Sequence, residues 1–345
     1  MLNVAIIGCG DMGKKHAAAW ASQPDASLVA VCDLDEKFST LLADKFQTHS
    51  YTDWRKAISH SPLDIISICT PANTHHEITI AAARLGKHVL CEKSMALNLA
   101  DAKDMIETAD ANKVHLQVSH QYRFLSRYKI IKEIIKEGSL GFPIFIRFME
   151  MREVRNKLAM HSKSLNGGPV HDLSGHLFDL ARFFTNREPE SVTATGNIFG
   201  KNKPRLENIK DFGIDAAEIQ VRFAEGNCLS ISINWGLPEG TPNYSHEVIF
   251  GPNGVMYTYD SEKSNLFLGE VSATTNVIIR DASGKRKIKC KTDYDGPEIC
   301  IRQLINLIKN ESTPKHNGKG GYDALKLTMA SLESIETGRT IYLNQ

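Results

Sequence analysis

Three groups of residues in this 345-residue sequence have types and spacings suited to chemistry. The first is Gly8-Cys9-Gly10-Asp11-Met12-Gly13, a GxGxxG pattern that follows one apolar run and opens a helical one. In that context Gly8 permits a tight turn, Gly10 lets backbone approach a pyrophosphate, and Gly13 allows close helix–strand packing. The helix start offers free N–H groups and a positive dipole end to phosphates. About twenty residues on, where such motifs carry an acidic residue, Asp33 ends the second apolar run. A carboxylate there accepts hydrogen bonds from ribose hydroxyls and repels a 2′-phosphate. Neither Leu34 nor Asp35 supplies a cation for such a phosphate. The expected cofactor is NAD, with NADP disfavoured. The plainer alternatives are a glycine turn without a ligand and an Asp33 that only caps a helix.

The second group is Asp172, His176 and Asp179, which share one face of a helical pattern. An imidazole is the side chain best suited to accept a proton near neutral pH, and a carboxylate one turn away can orient it. Hydride removal from a carbinol needs such a base, because the hydroxyl proton must leave as the hydride goes. A satisfied interior histidine is the bland alternative. Asp179 reads better as a structural hydrogen-bonding residue. His171, about 100° round the helix from Asp172, either touches substrate or lines the helix start. The third group is Glu92-Lys93, just after an apolar run. Lys93 can donate to a substrate oxygen, and positive surroundings can lower its pKa; a surface pair with Glu92 is the alternative. Glu92 reads as a structural carboxylate bonding a backbone amide, or as part of the cofactor edge. Arg123 contacts substrate or makes an ion pair at a domain junction. Met160 and His161 either cover the substrate or belong to an exposed loop.

Elements must hold these groups in place. Val4–Ile7, Leu28–Cys32, Ile65–Cys69, His88–Cys91 and His115–Val118 are apolar runs that alternate with helical patterns over Lys14–Ser22, Phe38–Phe46, His76–Leu85 and Leu99–Asn112. This rhythm predicts a doubly wound parallel sheet covered on both faces. Its carboxyl edge carries the glycine turn, Asp33 and Lys93. After the helix Arg127–Glu137 the rhythm changes. Ile144–Met151, Ser191–Thr195, Glu218–Phe223, Leu229–Trp235 and Glu247–Phe250 alternate as strands of a large, mostly antiparallel open sheet, interrupted by the helix Val170–Phe184. Late helices are expected over Pro297–Lys309 and Gly321–Thr337. Gly200–Gly213 is polar and aperiodic and reads as a surface loop. The fold class is thus α/β: a Rossmann domain over 1–122 and an α+β domain for substrate binding and oligomerisation over 123–345.

The bulk numbers exclude some partners. Formal net charge is +1, too small a field to argue for nucleic acid or a membrane surface. The basic stretch Lys285, Arg286, Lys287, Lys289 and Lys291 reads as the solvated face of a strand. No apolar run approaches the roughly 20 residues of a transmembrane helix, and Met1-Leu2-Asn3 leads straight into a strand without a charged leader. The seven cysteines have scattered spacing without a CxxC pair, so neither zinc nor any other metal is expected and a reducing cytoplasm fits. Cys9, Cys32, Cys69 and Cys91 read as small buried thiols.

In order along the chain, further segments strengthen the picture. Thr70-Pro71-Ala72-Asn73-Thr74-His75-His76, Gly86-Lys87-His88-Val89-Leu90-Cys91-Glu92-Lys93, Tyr122-Arg123-Phe124, Glu137-Gly138-Ser139-Leu140-Gly141, Gly167-Gly168-Pro169 with Asp172, Gly175, His176 and Asp179, and Thr337-Gly338-Arg339 follow one another. With the glycine turn and His16 they resemble the Gfo/Idh/MocA oxidoreductase family. The resemblance implies a hydride transfer between NAD and a secondary alcohol of a sugar, sugar derivative or cyclitol. It implies Lys93, Asp172 and His176 as catalytic residues. It adds Thr70, Pro71, Asn73, His76 and Glu92 to the cofactor edge, and Gln121, Arg123, His161 and His171 to the substrate. It also implies a homodimer or homotetramer through the second sheet. A redox-assisted glycosidase and a non-catalytic NAD- and sugar-binding sensor are the competing functions. Ser94 stands where the family has proline, and a cis peptide there costs about 3–4 kcal/mol without proline, so a trans bond is expected. His120-Gln121 replaces a frequent asparagine and leaves substrate preference open.

Overall fold

The computed structural model describes residues 1–259, 273–291, 296–310 and 318–343. Its elements run β1 (Leu2–Ile7), α1 (Asp11–Ala21), β2 (Ala26–Cys32), α2 (Glu36–Phe46), β3 (His49–Tyr51), α3 (Trp54–Ile58), β4 (Ile65–Ile68), α4 (His75–Arg84), β5 (His88–Cys91), α5 (Leu99–Ala111) and β6 (Leu116–Val118). They continue with α6 (Ser126–Lys136), β7 (Phe145–Glu153), α7 (Leu158–His161), α8 (Lys163–Asn166), α9 (Pro169–Thr185), β8 (Pro189–Asn197), β9 (Ala216–Phe223), β10 (Cys228–Leu237) and β11 (Tyr244–Gly251). Last come β12 (Gly254–Tyr259), β13 (Ala273–Asp281), β14 (Gly284–Lys289), α10 (Glu298–Lys309), α11 (Lys319–Thr337) and β15 (Ile341–Tyr342).

The chain divides into two compact units, Met1–Gln121 with Asp295–Leu325, and Tyr122–Tyr294 with Lys326–Gln345. A single cut after residue 122 does not anticipate the return of the chain to the first unit. Contacts remote in sequence hold that return: Gln117 Nε2 donates to the Cys300 carbonyl at 3.0 Å, and Lys309 pairs with Asp25.

The first unit is a parallel sheet in the order β3-β2-β1-β4-β5-β6. All four residues of β4, and Val4 to Ile7 of β1, are buried, as expected for strands covered on both faces. From β1 the chain winds outward through β2 and β3, then crosses back to β4. The carboxyl ends of β1 and β4 therefore flank the topological switch point, where open α/β sheets bind ligands. Asp35, Asp53 and Asn98 cap α2, α3 and α5 through their side chains. The edge strand β3, His-Ser-Tyr, carries no apolar run, so sequence pattern did not announce it.

Among the described residues, the second unit holds nine strands in the order β14-β13-β12-β11-β7-β10-β9-β8-β15, all neighbours antiparallel except β10 with β7. Strand β9 alternates buried and exposed positions, burying Ala217, Ile219, Val221 and Phe223. With Ile231, Phe148, Leu177, Phe178 and Phe184 these form the core. The basic strand β14 is exposed along most of its length, as its composition implied.

The segment Gly200–Gly213 is more than a surface loop. It contains the 3-10 turn Pro204–Leu206, and Leu206 and Ile209 pack with Val154 and Phe212 in a small apolar cluster. Its end braces α9: Gly213 N donates to the His161 carbonyl at 2.9 Å, and a Cβ on Gly213 would lie 2.4 Å from Gly168 Cα. The apolar residues are too sparse in this segment for a periodic signal. Among the described residues, no helix is long and apolar enough to cross a membrane.

Candidate functional site

In the first unit the glycine turn follows from close contacts. Gly8 has φ +98° and a Cβ there would lie 2.8 Å from the Cys69 backbone, while one on Gly13 would lie 1.9 Å from Gly8 O. Beside Gly10, by contrast, a Cβ would meet nothing within 4 Å. The turn thus leaves an open cradle at the start of α1. Gly10 caps that helix without a side-chain bond, and its first internal bond runs from Lys14 N to Gly10 O. The first amides of a helix point out of its N-terminus, which is where a phosphate binds. Asp33 is fixed beside the turn: Oδ2 accepts from Cys9 N at 2.7 Å and Oδ1 from Asp35 N at 3.0 Å. Each oxygen keeps a further lone pair for a ribose hydroxyl. These residues fit an NAD pyrophosphate and adenosine ribose.

Behind the edge lies a buried polar chain. His16 Nδ1 meets Ser67 Oγ and Nε2 meets Glu92 Oε1, each at 2.8 Å. Glu92 bonds an imidazole, where a backbone amide had been expected. Burial alone would push the Glu92 carboxyl up; the hydrogen bond and charge of His16, with Lys93 and Ser119 adding, hold it below its ordinary value. Lys93 itself is half-buried on the turn after β5.

The Lys93–Ser94 peptide is cis, against the expectation of trans. Its setting explains why propensity alone misleads: Ser94 is buried, and its carbonyl lies 2.9 Å from His75 Nδ1. His75 Nε2 lies 2.8 Å from the Thr70 carbonyl, so one ring ties together the turns after β4 and β5. Burial pushes the His75 pKa down, and the two carbonyls beside its ring nitrogens oppose that shift. The motif Thr70–His76 contains two histidines, and it is His75 that joins the two turns. His76 bonds Asp104 on α5 at 2.7 Å and is part-exposed. Helical spacing distinguishes them, since His75, Ile78, Thr79 and Ala82 share the buried face of α4. Thr70 and Pro71 are half-buried and Asn73 exposed on the same edge, and Gln121 is buried just beyond β6.

In the second unit α9 is buried almost all round, including His171, Asp172, His176 and Asp179. Gly167 and Gly168 at its start have φ +77° and +91°. A Cβ on Gly167 would strike the His171 ring at 2.4 Å, so glycine makes room for that imidazole. Asp172 accepts from Asn166 Nδ2 at 2.8 Å. The ring of His176 stacks on Tyr122, with centroids 4.2 Å apart and planes 12° from parallel. Asp179 is bound by Arg123 through Nε at 2.8 Å and through Nη2, so Arg123 makes an ion pair, the reading favoured for it over substrate contact. Asp179 has the structural role expected of it.

His161 lies in the short helix α7 and is 1% exposed, which corrects the exposed-loop reading. Burial and the charge of Arg155 push its pKa down to about 4, so it is neutral at pH 7. Arg155 stacks over Trp235 at 5.1 Å, opposite Asp172 in charge. Arg155 did not stand out in the sequence, and Tyr122 did so only as part of Tyr122-Arg123-Phe124, because the partners of their side chains lie on remote elements. Among the described residues, no cluster of His, Cys, Asp or Glu is placed to hold a metal ion. All seven cysteines are free; Cys9, Cys32 and Cys91 are buried as expected, and Cys69 is half-buried.

Comparison with known proteins agrees with both units. Residues 2–120 match a family model described as an oxidoreductase family with an NAD-binding Rossmann fold. Residues 128–256 match the GFO/IDH/MocA C-terminal domain. The chain is 32% identical to D-glucoside 3-dehydrogenase of Escherichia coli, covering 99% of this chain and 97% of that one. It is 28% identical to myo-inositol 2-dehydrogenase of Thermotoga maritima, covering 100% and 99%. A solved structure of levoglucosan dehydrogenase in complex with NADH and levoglucosan superposes with TM-score 0.85, at 23% identity and full coverage of both chains. At that identity the likeness speaks for the fold.

Proposed function

The chain belongs to the GFO/IDH/MocA oxidoreductase family, and from that premise we propose how it works as an NAD-dependent dehydrogenase of ring alcohols. Its substrate is a secondary alcohol, or the matching ketone, of a sugar, sugar derivative or cyclitol. The observation that carries this reading is the chemistry retained at two places: Asp33 held beside an open glycine cradle, and Asp172 and His176 one turn apart on a buried helix. Relatives spanning nearly the whole chain are named as dehydrogenases of a cyclitol and of a glucoside, which supports the substrate class.

The turn Gly8–Gly13 holds the pyrophosphate, Asp33 the adenosine ribose, and Thr70, Pro71 and Asn73 line the edge beyond. NAD, when bound, supplies the hydride acceptor. Lys93 donates a hydrogen bond to the reacting oxygen and steadies its developing charge. His176 takes the hydroxyl proton, and Asp172 orients a neighbouring hydroxyl or the ring. Gln121, His161 and His171 are the remaining polar groups offered to the substrate. A screen of sugars, aminosugars and inositols with NAD, followed at the nicotinamide absorbance, tests this directly. Reduction of NAD by at least one ring polyol is expected; tight NAD binding without turnover across the panel would refute it. The reading extends to a homodimer or homotetramer built on the open face of the second sheet, in a reducing cytoplasm suited to free thiols. Sedimentation of a monomer at micromolar concentration would contradict the assembly.

A further inference from the structure

Tyr122 heads the 3-10 turn Tyr122–Phe124, and its ring lies flat against His176. The next residue, Arg123, grips Asp179, which stands three residues beyond His176 on α9. The turn is therefore fastened to the helix that carries the imidazole. Tyr122 also stacks with Tyr128 of α6, centroids 6.0 Å apart and planes 27° from parallel. Tyr128 is held in turn: its hydroxyl donates to Glu247 of β11 and accepts from Arg127 Nη2 at 2.7 Å. Thr258 Oγ1 donates to the second Glu247 oxygen at 3.2 Å. Ring contacts thus link His176 to Tyr122 and Tyr122 to Tyr128, and the ion pairs Arg123–Asp179 and Arg127–Glu247 hold the elements that carry them.

We propose that Tyr122 is a positioning residue for proton transfer, its ring fixing the plane of the His176 imidazole and stabilising the imidazolium. The inference rests on His176 being the base. In oxidation the substrate O–H bond breaks and the proton passes to an imidazole nitrogen. The electron pair left on oxygen closes the carbonyl as the hydride departs from carbon, so the alcohol is oxidised and NAD reduced. The product of the proton step is a cation lying on an aromatic face, an arrangement that attracts positive charge. Other charged and titratable groups of this neighbourhood are Asp172 and Asp179 on α9, Arg123 in the turn, Arg127 and Tyr128 on α6, Arg155 after β7, and His161 on α7. Glu247 of β11, which holds Tyr128, and His171 of α9 complete the set.

The test compares Tyr122→Leu, Tyr122→Phe and His176→Gln with a polyol found active in the wild type. Tyr122→Leu should lower kcat about tenfold to a hundredfold, the scale of a small misplacement of a reacting group. KM and NADH affinity should change by less than about threefold. The acid limb of kcat should move to lower pH by about half a unit. Tyr122→Phe keeps the aromatic face and should restore both turnover and the position of the limb. If Tyr122→Leu fails to bind NADH through misfolding, Tyr122→Met, of similar volume, takes its place. Wild-type kcat with an unmoved limb in the Leu or Met variant overturns the proposal, as does a Phe variant as impaired as Leu. Near-normal turnover in His176→Gln would instead remove the base on which the inference stands.

Discussion

Single carboxylates decide two properties of the first unit. Asp33 has both oxygens fixed by backbone amides beside the glycine turn, and on the proposed reading its charge repels an added 2′-phosphate. Asp33→Ser should narrow the preference for NAD over NADP, measured as a ratio of kcat/KM values; a wild type that binds NADP more tightly than NAD would contradict the assignment. Glu92 is buried and paired with His16, and cutting one partner from such a pair costs about 3–5 kcal/mol. Glu92→Ala should therefore lower the melting temperature steeply. The folded Glu92 pKa is depressed, so its contribution is present above the unfolded value and lost as pH falls through the folded one. Acid should unfold the wild type with a component that Glu92→Ala lacks. At the residue scale the sequence was legible where a type carries its own structural meaning, as with the glycine turn at Gly8 and the ion-paired Asp179. It was illegible where a neighbour decides: which histidine of the Thr70–His76 motif faces inward, the cis peptide before Ser94, and the Tyr122 stack.

Elements announced themselves according to how fully they are buried. The apolar strands β1, β4 and β5 were plain because both faces are covered, and the alternation of β9 because one is. The polar edge β3 gave no such signal. Placement of α9 depends on a contact no local pattern contains, the approach of Gly213 to Gly168. Gly213→Ala forces those backbones apart, and overpacking of this kind costs about 1–3 kcal/mol. Turnover should fall with stability while NADH affinity, a property of the glycine turn, stays near wild type. Unchanged melting and turnover would show that α9 does not need this brace. Arg123 and Asp179 act at the same scale, joining a turn and a helix 56 positions apart in the chain.

At the scale of the molecule, one unit offers a cofactor cradle with Lys93 on its edge and the other offers a base on a buried helix. Lys93→Ala should lower turnover far more than it weakens NAD binding, because losing one such donor costs about 2.7–4 kcal/mol of barrier; turnover within a few-fold of wild type would exclude Lys93 from the chemistry. The most direct measurement is the pH dependence of alcohol oxidation in wild type, His176→Gln and Lys93→Met with one active polyol. If neutral His176 takes the proton, the wild-type rate rises with pH through an acid limb, and His176→Gln loses both that limb and most of its turnover while still binding NADH. A limb that persists in His176→Gln at near-normal turnover, and disappears in Lys93→Met, would give the proton to the lysine instead.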